Sequence, residues 1–178
     1  MNWTRSQCIG LSDFDCAYCH GMGTREIDPR RRVNEVPCNC VFRGAFRACL
    51  MRFRECSASG GRINTMTWEI CNGRLGHRVF ANKAVEFMAD FELIARRCLD
   101  QYDYDIFRLH FLHGAEWRQV CAVLKITRGN CFHAIYRIQQ ILGRAYAEIE
   151  PYGLWPLDEY FGGVVTRGAP RLPRLMAG

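Results

Sequence analysis

Two cysteine pairs constrain this chain before any other feature does. Cys16-Ala17-Tyr18-Cys19-His20-Gly21-Met22-Gly23 is a Cys-x-x-Cys-x-Gly-x-Gly knuckle, and Cys38-Asn39-Cys40 follows Pro37. A two-residue gap lets both thiolates face one ion, while glycines permit the tight turn. Four thiolates on two knuckles make a closed tetrahedral site of the structural kind. The spacing therefore predicts one structural Zn2+ held by Cys16, Cys19, Cys38 and Cys40, with His20, Cys8 or Cys49 as alternatives for one ligand. A small Cys-rich segment with little core needs such a staple.

The chain has 11 cysteines, and the expected compartment is cytoplasmic, because no apolar signal segment follows Met1 and no apolar run reaches membrane length. A reducing compartment rarely keeps disulfides. Cys98, Cys121 and Cys131 are accordingly read as small core residues on apolar helix faces.

Charge is unevenly placed. Residues 1–83 carry 13 basic against 7 acidic side chains, and the net charge of the whole chain is +6. Residues 84–150 are close to neutral. The field of the first half favours a polyanionic partner.

The pattern divides the chain into four. Residues 1–56 read as a zinc-binding module with a basic amphipathic helix over Val41 to Cys56. In that helix Phe42, Phe46 (or Ala45), Cys49, Phe53 and Cys56 line one side, and Arg43, Arg47, Arg52 and Arg54 lie largely elsewhere. Residues 57–83 read as a linker, from Ser57-Ala58-Ser59-Gly60-Gly61 and Asn72-Gly73, which is turn and linker chemistry. Residues 84–161 read as a four-helix helix-turn-helix domain, and 162–178 as a flexible Arg/Pro tail. The expected fold is mainly α.

Within the helical half the spacing predicts helices over 84–99, 104–112, 115–124 and 127–149. Val85, Met88, Phe91, Ile94, Ala95 and Cys98 share one face of the first. Cys131, Ile135, Ile138, Leu142, Ala145 and Ile149 form a stripe along the last. Only Lys125-Ile126 joins the last two helices, with Cys121 as the small residue at their approach, Leu124 and Ile126 as apolar plugs, and Thr127 as an N-cap. That is the grammar of a helix-turn-helix.

The segment resembles region four of the primary sigma-factor family. Val120-Cys121 fills the family's Ile-Ala positions, Leu124-Lys125-Ile126-Thr127 its Leu-Gly-Ile-Ser, and Asn130-Cys131 its Thr-Val pair. Lys125 stands where that family often has glycine, and would be strained if the backbone there needs a positive φ. The knuckle, the helix-turn-helix and the ending Glu150-Pro151-Tyr152-Gly153-Leu154-Trp155-Pro156 are also similar to zinc-containing phage and prophage regulators, including late-gene antiterminators. The knuckle alone resembles those of J-domain cochaperones, but one unit does not carry a chaperone role.

The resemblance implies a transcription regulator whose last helix enters the major groove of double-stranded DNA. Thr127, Arg128, Asn130, His133 and Arg137 would face the bases, with Ala134 between them, and Arg118 would sit over the backbone. Arg25, Arg30, Arg31, Arg32, Arg43, Arg47 and Arg54 would make the phosphate-contacting surface. RNA polymerase and RNA are the competing partners, through an antitermination factor that reads no bases; no membrane is expected. An enzyme is not expected. No nucleophile–base pairing is visible, and His110 and His113 lack a Glu-bearing metal motif.

Overall fold

The computed structural model describes residues 3–26, 35–70, 75–149 and 153–161, the stretches 59–70 and 75–82 as backbone. Its order is α1 (Arg5–Leu11), β1 (Thr24–Glu26), β2 (Glu35–Pro37), α2 (Asn39–Ile70), α3 (Leu75–Cys98), α4 (Gln101–Ile106), a π-helical segment (Phe107–Leu112), α5 (Trp117–Leu124), α6 (Arg128–Glu148) and α7 (Leu157–Tyr160). The fold is thus mainly helical, with a four-cysteine cluster near its N-terminus. No helix among the described residues is long and apolar enough to cross a membrane.

The expected division at residue 57 is not where the chain breaks. Helix α2 continues through Ser57-Ala58-Ser59-Gly60-Gly61 to Ile70. Glycine lowers helix propensity by about 1 kcal/mol per residue, yet the helix runs on past Gly60 and Gly61. The Asn72-Gly73 turn and the tail 162–178 fall outside the described residues. The basic helix also does not belong to a separate module. Phe46, Cys49, Leu50 and Cys56 of α2 bury into one cluster with Phe87 and Phe91 of α3 and with Ile138, Leu142 and Tyr146 of α6.

Aromatic rings carry that core. Tyr146 stacks on Phe91 at 4.9 Å and lies parallel to Phe46 at 6.2 Å, and Phe53 stacks on Phe91 at 4.7 Å. The Tyr146 hydroxyl donates to the Phe91 carbonyl at 3.2 Å, so its one polar atom is satisfied inside. At Gly143 α2 and α6 approach so closely that a Cβ there would overlap the Phe42 carbonyl. Leu154 and Phe161 close the core from the C-terminal side, with Tyr160 donating to Asp90 at 2.9 Å.

The stripe on α6 holds: Cys131, Ile135, Ile138 and Leu142 are buried, and Ala145 and Ile149 pack against them. The face of α3 is rotated from the expected one. Ala84, Phe87, Phe91, Ile94, Ala95 and Leu99 are buried, whereas Val85 is 62% exposed and Cys98 is exposed too. The heavier Phe87 takes the core position, because burying an aromatic ring gains more than burying a valine. Cys98 is therefore not a core residue; Cys131 is buried and Cys121 half-buried.

The predicted helix over 104–112 is two segments. Asp100 caps α4, accepting from the Asp103 N–H at 2.7 Å, and the chain then widens into the π-helical turn. His113 N–H donates to the Arg108 carbonyl at 3.0 Å, the five-residue spacing of a π-helix. Gly114, at φ +70°, ends it.

Candidate functional site

The metal knuckles are built by backbone geometry. His20 N–H donates to the Cys16 carbonyl at 2.8 Å and Met22 N–H to the Cys19 carbonyl at 2.8 Å. His20 (φ +47°), Gly21 (+82°) and Gly23 (+73°) take left-handed conformations that turn the chain back. At Gly23 a Cβ would also overlap the Cys8 carbonyl of α1, so glycine is required twice over. From there β1 pairs antiparallel with β2, Thr24 opposite Pro37 and Glu26 opposite Glu35. This ribbon, which the sequence reading lacked, returns the second cysteine pair to the first. Cys38 N–H donates to the Gly23 carbonyl at 2.9 Å, tying the two knuckles together.

The result is a cluster of Cys16, Cys19, Cys38 and Cys40 whose sulfurs all lie within 4.8 Å of one another and that can hold a metal ion. Sγ of Cys16 is 3.7 Å from that of Cys38, and Sγ of Cys19 is 3.4 Å from that of Cys40. A tetrahedron with thiolate bonds of about 2.3 Å has edges of about 3.8 Å, so the spacing fits such a centre. All four residues are buried. Neither Cys8, Cys49 nor His20 joins the cluster: Cys8 packs beneath it, Cys49 is in the helical core, and His20 is exposed.

The thiols differ in acidity. Burial pushes Cys16 up, but hydrogen bonds from the Tyr18 and Cys19 backbone and from neighbouring thiols outweigh it and bring Cys16 down to about 7. Burial raises Cys38 and Cys40. Of these thiols Cys16 is thus the one that the surrounding protein makes easiest to ionise.

Later in the chain α5 and α6 meet at a sharp corner. Glu116 and Gln119 form a reciprocal capping box at the start of α5. Lys125 sits at φ +54°, ψ +44°, the left-handed conformation, with its N–H on the Cys121 carbonyl. Thr127 caps α6, its hydroxyl accepting from the Asn130 N–H at 3.3 Å.

Around this corner the residues expected at DNA part company. Thr127, Arg128, Asn130 and His133 are exposed along the first turns of α6. Arg128 lies over the Trp117 ring at 5.2 Å and the Phe132 ring at 5.5 Å, and Arg118 lies over the same indole at 5.2 Å. Ala134 is buried, 1% exposed, and so faces the core rather than a groove. Arg137 is engaged elsewhere. Its Nε and Nη2 donate to both oxygens of buried Asp103, at 2.7 and 2.5 Å, tying α4 to α6. A bidentate fork spent in this way is not free for a guanine, so Arg137 positions α6 instead of reading from it. No sequence periodicity links it to a partner 34 residues away.

The phosphate-contacting set is also divided. Arg25 is exposed on β1, Arg47 is exposed with its Nε on the Arg43 carbonyl, and Arg54 is exposed with Nη2 on the Phe111 carbonyl at 3.5 Å. Arg43 is half-buried, its guanidinium 5.3 Å above the ring of Tyr136 on α6. Arg30, Arg31 and Arg32 lie outside the described residues. The sequence reading missed Tyr136, which is 48% exposed and joins the basic face of α2 to the outer face of α6. His110 Nδ1 is 2.9 Å from the Ala115 carbonyl.

No protein-family model, curated protein or solved structure matches the chain.

Proposed function

We propose that the chain is a DNA-binding transcription regulator, of the kind phages and prophages encode, whose α5–α6 corner is a helix-turn-helix stabilised at a distance by a structural zinc. The observation that carries this reading is the first half of α6. Arg128, Asn130 and His133 are exposed while Cys131, Ala134, Ile135 and Ile138 on the opposite side are buried. A capped helix start that offers arginine and asparagine to solvent suits the bases of a major groove, arginine for guanine and asparagine for adenine. Arg118 and Arg47 would add phosphate contacts, which supply grip without sequence choice.

Zinc is the ion of choice for the cysteine cluster. Four thiolates in tetrahedral spacing select soft or borderline cations, and a closed sulfur set is the structural zinc pattern. The ion's part here is to hold α1, the ribbon and the head of α2 together; no chemistry passes through it.

A second reading is favoured by one feature. Phe14, Tyr18, Met22 and Ile9 are 89%, 80%, 48% and 47% exposed on the metal-bearing end. Such an apolar surface suits a protein partner such as RNA polymerase, and an antitermination factor would use it without reading bases.

Genome-wide mapping of bound DNA, with parallel recovery of polymerase, separates the two readings. Discrete DNA sites that vanish in Arg128→Ala/Asn130→Ala support the regulator. Polymerase recovery without site-specific DNA, unaffected by that variant, would replace it with the second.

A further inference from the structure

A cleft runs from the cysteine cluster to the outer face of α6 and shares Cys16, Cys38 and Cys40 with the metal site. It encloses about 470 Å³ and is lined by Arg25, Asn39, Arg43, Tyr136 and Gln140, together with Tyr18, Cys16, Cys38 and Cys40. That volume lies within the range of about 300–1,000 Å³ usual for small-ligand clefts.

We propose that this cleft receives a single unpaired nucleobase, with guanine preferred. Arg43 carries the argument: it lines the cleft, and its guanidinium lies over the Tyr136 ring, with several N–H donors on one plane. O6 and N7 of guanine are the acceptors that an arginine engages best. The side amides of Asn39 and Gln140 each offer a donor and an acceptor for the remaining base edge. Tyr136, half-exposed, supplies a stacking platform of the kind used for single strands.

Charge decides against a bare phosphate. A divalent ion held by four thiolates would leave a formal charge of −2 beside the cleft, which Arg25 and Arg43 would offset. The cleft is then close to neutral and suits a planar heterocycle with acceptors better than a dianion.

Position decides the source. Gln140 lies ten residues beyond Asn130 on the same helix, about 15 Å along the axis. That is less than half of one duplex turn, so a base lodged here would come from just beside the groove occupied by the start of α6. A stacked, paired base cannot enter such a cleft; it must be flipped or lie in a single strand. The chain would therefore read duplex and unpaired strand side by side. This deepens the DNA-binding reading and rests on nucleic acid being held at α6.

The test uses the metal-loaded full chain and fluorescence anisotropy at low salt. The probes are a blunt duplex, the same duplex with a single-stranded guanine overhang, and one with a thymine overhang, the overhangs in DNA and in RNA. Guanosine monophosphate and inorganic phosphate are the competitors. The guanine overhang is expected to tighten binding about tenfold over thymine, the scale of one stacked and hydrogen-bonded base. Arg43→Met, Tyr136→Ala and the more conservative Gln140→Ala should each reduce that preference, with metal content and helical circular dichroism unchanged. Competition by guanosine monophosphate would make a free nucleotide sufficient; competition only by strands would require a nucleic acid, and the overhangs then decide between DNA and RNA. Equal binding of guanine and thymine overhangs, a preference untouched by all three variants, or displacement by inorganic phosphate alone overturns the proposal. Blunt-duplex binding that persists without a guanine preference leaves the regulator standing and removes the cleft. A guanine preference without blunt-duplex binding does the reverse.

Discussion

The metal-bearing end and the helical body bury different things. Around the cysteine cluster the buried set is Cys8, Cys16, Cys19, Cys38, Cys40 and Val41, with Trp3 and Leu11 packed against it. The body buries Phe46, Phe87, Phe91, Phe107 and Tyr146, each almost wholly removed from solvent. Side chains of the second kind bury about 150–250 Å² each and dominate core energetics; the first kind offers little apolar area. The difference teaches that one end has little apolar area to hold it together and the other has ample, although α2 runs through both.

The sharpest way to break that comparison is to remove the metal. Chelation, or Cys16→Ser, should unfold the knuckles and ribbon, where structural zinc supplies about 10–16 kcal/mol in isolated fingers. The far-UV signal of the helical body should survive. Hydrogen exchange checks this: early exchange confined to residues 3–26 and 35–38 is expected, and loss of protection throughout α6 would show that the ends are one unit. Because protons compete with the ion for thiolates, acidification should release it, with loss of metal as pH falls.

Next in size is a substitution that touches only the body. Phe91→Ala should cost about 3–5 kcal/mol, read as a lowered denaturation midpoint at unchanged metal stoichiometry. A drop in metal content would mean that the cysteine cluster borrows its order from the aromatic core.

Arg137→Ala should be smaller, about 2 kcal/mol. Removing one partner of a fully buried pair costs about 3–5 kcal/mol, but Arg137 is half-exposed and Asp103 alone is buried. If Arg137 positions α6 through Asp103, Asp103→Asn should weaken DNA binding nearly as much as Arg137→Ala. Intact binding in Asp103→Asn, with binding lost in Arg137→Ala, would restore Arg137 to the bases.

The smallest effect should have the opposite sign. A left-handed conformation costs an ordinary residue about 1–2 kcal/mol, and glycine gives back part of that through chain entropy. Lys125→Gly should therefore stabilise by roughly 0.5–1 kcal/mol, a rise in Tm of about 1–4 °C. A fall in Tm would mean that the lysine side chain compensates its own backbone.

The parts legible in the sequence were those governed by local rules. The Cys-x-x-Cys and Cys-x-Cys spacings gave the right four cysteines, because two short knuckles leave few ways to gather sulfurs. The stripe on α6 and the Thr127 cap followed from helical periodicity and from a hydroxyl next to orphaned N–H groups. What depended on distant partners was not legible. Nothing near Arg137 announces Asp103, nothing near Ser57-Ala58-Ser59 announces the core that carries α2 onward, and the rotation of α3 that exposes Val85 depends on where Phe87 meets Tyr160 and Phe161. The short ribbon of β1 and β2 was missed because three-residue strands carry almost no pattern of their own.

The indole of Trp117, with Arg118 and Arg128 laid over it, has a consequence for speed and selectivity. A free arginine on a surface surrenders rotamer freedom when it is captured, about 0.5–1.5 kcal/mol for each side chain immobilised. These two have already surrendered part of it to the ring. An anionic partner arriving at this corner would meet guanidiniums that are preorganised. A partner requiring any other arrangement would first have to pull them off the indole, so the tryptophan would act as a filter on geometry as well as a support.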